Sequence, residues 1–212
     1  MSDMTAPATT VKTKPKKRKI PAWLVKETID GKPFYYAGYR SVLNKRKTLD
    51  DIIPDSSLQN VIKIYLVLLM GQKLNLSKYW IFSGEVGLHI ETSKNLALDF
   101  ALVETSVCPP SKISNKHLDA PPKVVVEIDV NVESDQENFD AWEDFIIPKI
   151  NKLHAFGTQK VIWIFTKSKK VVLAEAGKTW QTFNWDEDVE MLNGVVFNIA
   201  EYLKEKGIGN IE

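Results

Sequence analysis

The sequence predicts an α/β domain in which helices flank a mixed central β-sheet. Three observations point there. A long helix-periodic apolar segment precedes a series of short strand-like runs, and a second helical segment lies between two strongly apolar runs. The 212 residues are 44% hydrophobic, enough for one substantial core. The order helix, antiparallel-looking strands, helix and strand is that of an α/β sandwich with a mixed sheet.

Taken in order, residues 1–20 form a basic tail expected to be disordered, and residues 21–212 form a single domain. The tail holds six Lys/Arg against Asp3 alone and carries +5, while the remaining 22 basic and 26 acidic residues leave −4. Its composition suits either sequence-independent phosphate contact or a solubilising arm. Residues 22–29 read as a short helix stopped by Asp30-Gly31, and residues 33–43 as extended segments and turns rich in Tyr. Residues 56–72 carry Leu58, Val61, Ile62, Tyr65, Leu66, Leu68 and Leu69 at helical spacing, with Asp55 or Ser56 as N-cap. This helix is apolar nearly all round, so it should be buried against a sheet. Residues 79–90 and the run around Asp99 read as strands, and residues 108–122, with four prolines, as a loop. After a strand around Glu127, a helix is expected over 136–156, then strands over 161–165, 171–174 and 179–183, and a final helix over 197–206.

Several function classes are excluded. A lone Cys108 allows neither an intrachain disulfide nor a cysteine-based zinc cluster. His89, His117 and His154 match no metal-ligand spacing, and no G-x-S-x-G elbow, phosphate-binding loop or dinucleotide fingerprint occurs. No apolar run is long enough to span a membrane and no signal segment is evident, so a soluble, cytoplasmic protein is expected.

Acidic groups interrupt two of the strands. Leu96-Ala97-Leu98-Asp99-Phe100-Ala101-Leu102-Val103 contains one carboxylate, and Val124-Val125-Val126-Glu127-Ile128-Asp129-Val130 contains two. An unpaired ionised carboxylate in a core is very costly, so such groups pair, bind metal or change protonation. Strand alternation places Val124, Val126, Ile128 and Val130 on one face and Glu127 with Asp129 on the other. Asp99 would share its face with the small residues Ala97 and Ala101. If the strands are neighbours, the three carboxylates line one pocket, an arrangement suited to Mg²⁺ or Mn²⁺ or, alternatively, a buried ion-paired network. Lys149 falls in the same helical stripe as Trp142, Leu153 and Phe156, where a lysine either enters a polar site or snorkels to solvent. Pro148 must kink this helix or begin a new one.

A set of short motifs supports a more specific reading. They are Glu27-Thr28-Ile29-Asp30-Gly31, Leu98-Asp99, Pro121-Pro122-Lys123-Val124-Val125-Val126-Glu127-Ile128, Lys149 eight residues before Gly157, and Lys160-Val161-Ile162-Trp163-Ile164-Phe165. In this order, across residues 24–203, they resemble the Uma-type family of proposed restriction endonucleases, a domain of unknown function in the PD-(D/E)XK nuclease superfamily. The sequence departs from that pattern at Leu98, where the family has Pro, and at Asp129, where the superfamily has its active-site Lys. It also departs at Leu153, where Tyr is frequent, and near Gln59, where His is frequent. The resemblance implies a restriction-endonuclease-like fold and Mg²⁺- or Mn²⁺-dependent hydrolysis of DNA by a homodimer. It implies Asp99, Glu127 and Lys149 as catalytic residues, and Asp99 and Glu127 as metal ligands with a backbone carbonyl near Ile128. Asp129 and Glu27 would be further metal ligands. The other class left open is a nuclease-fold protein that binds nucleic acid or assembles without catalysis.

Overall fold

A computed structural model describes residues 19–91 and 94–209. The expected basic tail therefore lies, through residue 18, outside the described residues. The first ordered segment differs from expectation. A single 3₁₀ turn at Ala22–Leu24 leads into strand β1 (Val25–Ile29), not into a helix over 22–29. The reason lies in the next two residues. Asp30 (φ 50°) and Gly31 (φ 77°) both take positive φ, which makes the two-residue hairpin turn that returns the chain as β2 (Lys32–Tyr36). Ile29 pairs with Lys32 across it. The β-branched Val25, Thr28 and Ile29 suit this extended state. Glu27 thus sits on a strand.

A short helix, α1 (Tyr39–Leu43), precedes the long helix α2 (Ser57–Lys73). Ser56 caps α2 in a reciprocal box: its Oγ accepts from Gln59 N at 3.2 Å, while its own N–H donates to Gln59 Oε1 at 2.8 Å. Strands β3 (Tyr79–Glu91) and β4 (Lys94–Glu104) follow as an antiparallel pair, then β5 (Val124–Ile128). A two-residue strand, β6 (Val132–Glu133), pairs with β2. The helix expected over 136–156 begins only as a π-helical turn at Trp142–Ile146, which runs directly into α3 (Ile147–Phe156). Pro148, which has no N–H to donate, falls where the π-helical turn passes into α3. Gly157 (φ 115°) ends the helix in the left-handed conformation.

Strands β7 (Lys160–Phe165), β8 (Lys170–Glu175) and β9 (Gln181–Asn184) complete the main sheet, whose order is β3-β4-β5-β7-β8-β9. Only β5 and β7 are parallel, joined by the crossover that contains α3. A separate two-stranded hairpin, β10 (Val189–Leu192) with β11 (Val195–Phe197), was not expected from sequence, and α4 (Ile199–Glu205) is the last helix of the described residues. Ile62, Leu66 and Met70 of α2 pack on Phe100, Leu102, Val124 and Val126, with α4 and the β10–β11 hairpin on the same face. Ile150 and Leu153 of α3 pack on Leu98, Ala101, Val125, Val161 and Trp163 on the other. β5 is buried at every position, as expected of a central strand covered on both faces.

Candidate active site

The site forms where β4 and β5 part. The two strands pair at Leu102↔Val124, Ala101↔Val125 and Phe100↔Val126, and no further. Beyond that point the Ile128 N–H donates to Asp99 Oδ2 at 2.8 Å, so a carboxylate fills the place of the next strand residue. A register shift lies on the far side of β4. Between Ser83 and Val86, β3 carries an extra residue opposite Phe100 and Leu98, with Gly84 (φ 89°) and Glu85 (φ 58°) in the bulge. Strict alternation would group Asp99 with Ala97 and Ala101, but it slips here. Leu96 and Leu98 pack in the same cluster as Ala101, while Phe100 and Leu102 face the other way.

On the α3 side of this fork, Lys149 occupies the centre. Its Nζ lies 3.2 Å from Glu27 Oε2 and 3.2 Å from Glu127 Oε1 and donates to the Ala97 carbonyl at 2.8 Å. The rings of Phe145 and Trp163 flank the ammonium at 5.5 and 5.9 Å. Glu27 Oε1 accepts from the Ala97 N–H at 2.9 Å. The backbone of Ala97, which has no β5 partner, is thereby satisfied by two side chains. The Glu27 carboxylate is 1% exposed and both of its oxygens are engaged. Glu127 Oε1 differs: it has the ammonium nearby but no aligned donor, and it is fully buried. Burial pushes the Glu127 carboxyl up to about 8; Lys149 opposes this, and the charges of Asp99 and Glu27 add to it. Burial also works against the charge on Lys149, but Glu127 and then Glu27 outweigh it and hold the ammonium well above the usual lysine range.

On the α2 side, sequence reasoning missed a second lysine. Lys63 Nζ bridges Asp55 Oδ2 at 2.7 Å and Asp99 Oδ1 at 3.2 Å. Its burial opposes the charge, yet the Asp55 hydrogen bond and the Asp99 charge raise its pKa overall. A signal was present. Gln59 and Lys63 lie one turn apart among Ile62, Leu66 and Met70, on a helix whose inward face is otherwise apolar. Gln59 Nε2 donates to Asp129 Oδ2 at 3.1 Å and lies 3.5 Å from the Ile128 carbonyl.

Asp129 does not share the Glu127 face. It leaves the extended conformation at φ 61°, and its carboxylate accepts from Thr166 N at 2.7 Å and Thr166 Oγ1 at 2.6 Å. Its carbonyl accepts from Trp163 Nε1 at 2.8 Å. A short polar side chain tolerates this backbone state and bonds locally, so Asp129 pins the β7–β8 turn. The structure therefore brings Glu27, Asp99, Glu127 and Lys149 together and sets Asp129 apart.

The cluster holds four carboxylates, from Glu27, Asp55, Asp99 and Glu127, against two ammoniums, from Lys63 and Lys149. Water reaches Asp55 and Asp99, and the buried excess that remains at Glu127 is met by a proton or a cation. The residues fit Mg²⁺ or Mn²⁺, because the donors are hard oxygens and one carboxylate oxygen of Glu127 lacks an aligned partner. Among the described residues, no three His, Cys, Asp or Glu side chains converge to enclose an ion. Mg²⁺ needs no such cage, since it keeps several waters and commonly takes one or two carboxylates together with substrate phosphate. Access lies on the side of Asp99 and Asp55, whose side chains are 14% and 19% exposed. A cavity of about 750 Å³ between the β7–β8 turn, Trp185 and α4 is lined by none of these acids.

No family model matches the sequence, and no curated protein matches it significantly. Among solved structures, the fold matches that of a "putative nuclease belonging to DUF820" from Anabaena variabilis ATCC 29413. The TM-score is 0.60 at 17% identity, over 84% of this chain and 89% of that one. The two chains share one fold. It is a mixed α/β architecture with a six-stranded central sheet between helices. Among the described residues no helix is long and apolar enough to cross a membrane.

Proposed function

We propose that this protein is a divalent-metal-dependent endonuclease that hydrolyses DNA phosphodiester bonds. One observation carries the reading: at the fork between β4 and β5, Glu127 meets the buried Lys149 while Asp99, held by Lys63 and the Ile128 N–H, lies within electrostatic reach of both, with more carboxylates than ammoniums. The nuclease description of the fold neighbour adds support. Asp99 and Glu127 would hold Mg²⁺ or Mn²⁺, with the Ile128 carbonyl as a further oxygen donor. When bound, the ion polarises the scissile phosphate and lowers the pKa of a coordinated water. Lys149, kept charged by Glu127 and Glu27, would offset negative charge that builds on the phosphate in the transition state. Glu27 would serve by holding Lys149, and Asp129 by fixing the β7–β8 turn. Cutting both strands would use a second copy of the chain.

A specific observation favours a second reading, in which the fold binds nucleic acid without cleaving it. Lys149 and Glu27 are sealed from solvent, and Asp129 stands where the resembled superfamily keeps a lysine. Incubation of supercoiled plasmid with Mg²⁺ or Mn²⁺ separates the two. The wild type should nick DNA, and Asp99→Ala should lose on the order of 100-fold or more in rate. Nicking that persists unchanged in the variant rejects the assigned site, and no nicking with either metal favours the second reading.

A further inference from the structure

We infer that Lys63 is a resident cation in the place of a second metal ion: its ammonium, bridging Asp55 and Asp99, restricts the site to one divalent ion. The inference rests on the metal-dependent reading above and concerns how many ions the site takes. The geometry is that of a cation between two carboxylates. Nζ lies 2.7 Å from one oxygen and 3.2 Å from the other, and these acids come from separate segments, the approach to α2 and strand β4. The ammonium is nearly buried, so its charge acts at close range and is poorly screened. It lies on the α2 side of Asp99, whereas Lys149 and Glu127 lie on the α3 side. The second Asp99 oxygen is fixed by the Ile128 N–H. Of the two lysines, Asp99 is therefore in contact with Lys63, and any divalent ion it helps to hold meets that ammonium as a neighbour of like charge. Two-metal nucleases use paired ions to stabilise the attacking and leaving oxygens. Here the α2-side position of such a pair is filled by a side chain.

A pure ion pair locking α2 to the sheet would satisfy the same distances, so the test must read ions and not only activity. Mn²⁺ binding to the full chain, followed by electron paramagnetic resonance and calorimetry, should give one ion per chain in the wild type. Lys63→Ala, which vacates the ammonium position and leaves Asp55 and Asp99 facing each other, should bind two. Adding Asp55→Asn to that variant should return the count to one. Lys63→Asn, which keeps a polar group on α2, should also bind two and serves if the alanine variant melts before titration. Two ions in the wild type, or one in a folded Lys63 variant, overturns the inference and leaves the metal-dependent reading intact. No ion in the wild type overturns both.

Discussion

The two lysines of the fork are built alike and protected differently. Each is buried, reaches the sheet from its own helix and touches two carboxylates, yet Lys149 is enclosed by Glu27, Phe145 and Trp163 whereas Lys63 leans on two partly hydrated acids. The enclosed half anchors the fork, and the other half is its more open entrance. Glu27 and Lys149 close the fork from the α3 side and satisfy the Ala97 backbone, so they are parts of the fold as well as of the site. Asp55 and Asp99 keep some exposure and mark the side that is open to solvent.

The largest effect should follow from breaking the enclosed half. Lys149→Met leaves Glu27 and Glu127 buried without a cation and should cost about 3–5 kcal/mol in urea unfolding. Lys63→Met should cost less, roughly 1–3 kcal/mol, because water can reach Asp55 and Asp99. Equal costs would erase the distinction between anchor and entrance. A smaller effect concerns pH. The Glu127 carboxyl sits at about 8 in the folded chain against an ordinary 4.5, so the folded state holds an extra proton between these values. Its contribution to stability is complete below about pH 4.5 and is lost as the pH rises through 8. Lys149, raised in the folded state, stays charged throughout this window and adds no slope. Without divalent metal, the melting temperature should therefore fall between pH 5 and pH 8.5, and Glu127→Gln should flatten that fall. An unchanged slope in the variant would assign it elsewhere. The mildest change is Asp129→Ala, which removes the Thr166 bonds from a left-handed position and should cost about 1–2 kcal/mol. Mn²⁺ affinity should stay within about twofold of wild type, and Asp129→Asn should cost less than alanine.

Much of this was legible in the sequence where one local rule governs. The cap at Ser56, the all-buried β5 and the inward Lys149 follow from capping chemistry, apolar runs and helical spacing. The fold class was legible too, because the element order leaves few ways to cover a sheet. What failed did so where distant segments decide. Alternation predicted Asp129 beside Glu127, but the strand ends at Ile128 and Thr166 captures the next side chain. Asp99 was placed on the right strand, while its position in the fork depends on where β4 and β5 stop pairing. Lys63 looked like an ordinary helix lysine until Asp55 and Asp99 came within reach. Residues 22–29 offered no strong helical period, and the two-residue Asp30-Gly31 turn drew them into a hairpin.

In the function proposed above, Asp99 and Glu127 would grip one divalent ion together. An anomalous-difference map from crystals grown with Mn²⁺ tests it most directly. A single peak is expected at bonding distance from one oxygen of each carboxylate, with the Lys63 ammonium still bridging Asp55 and Asp99. A saturated crystal whose manganese lies elsewhere, with both carboxylates still held only by their lysines and the Ile128 N–H, would contradict it.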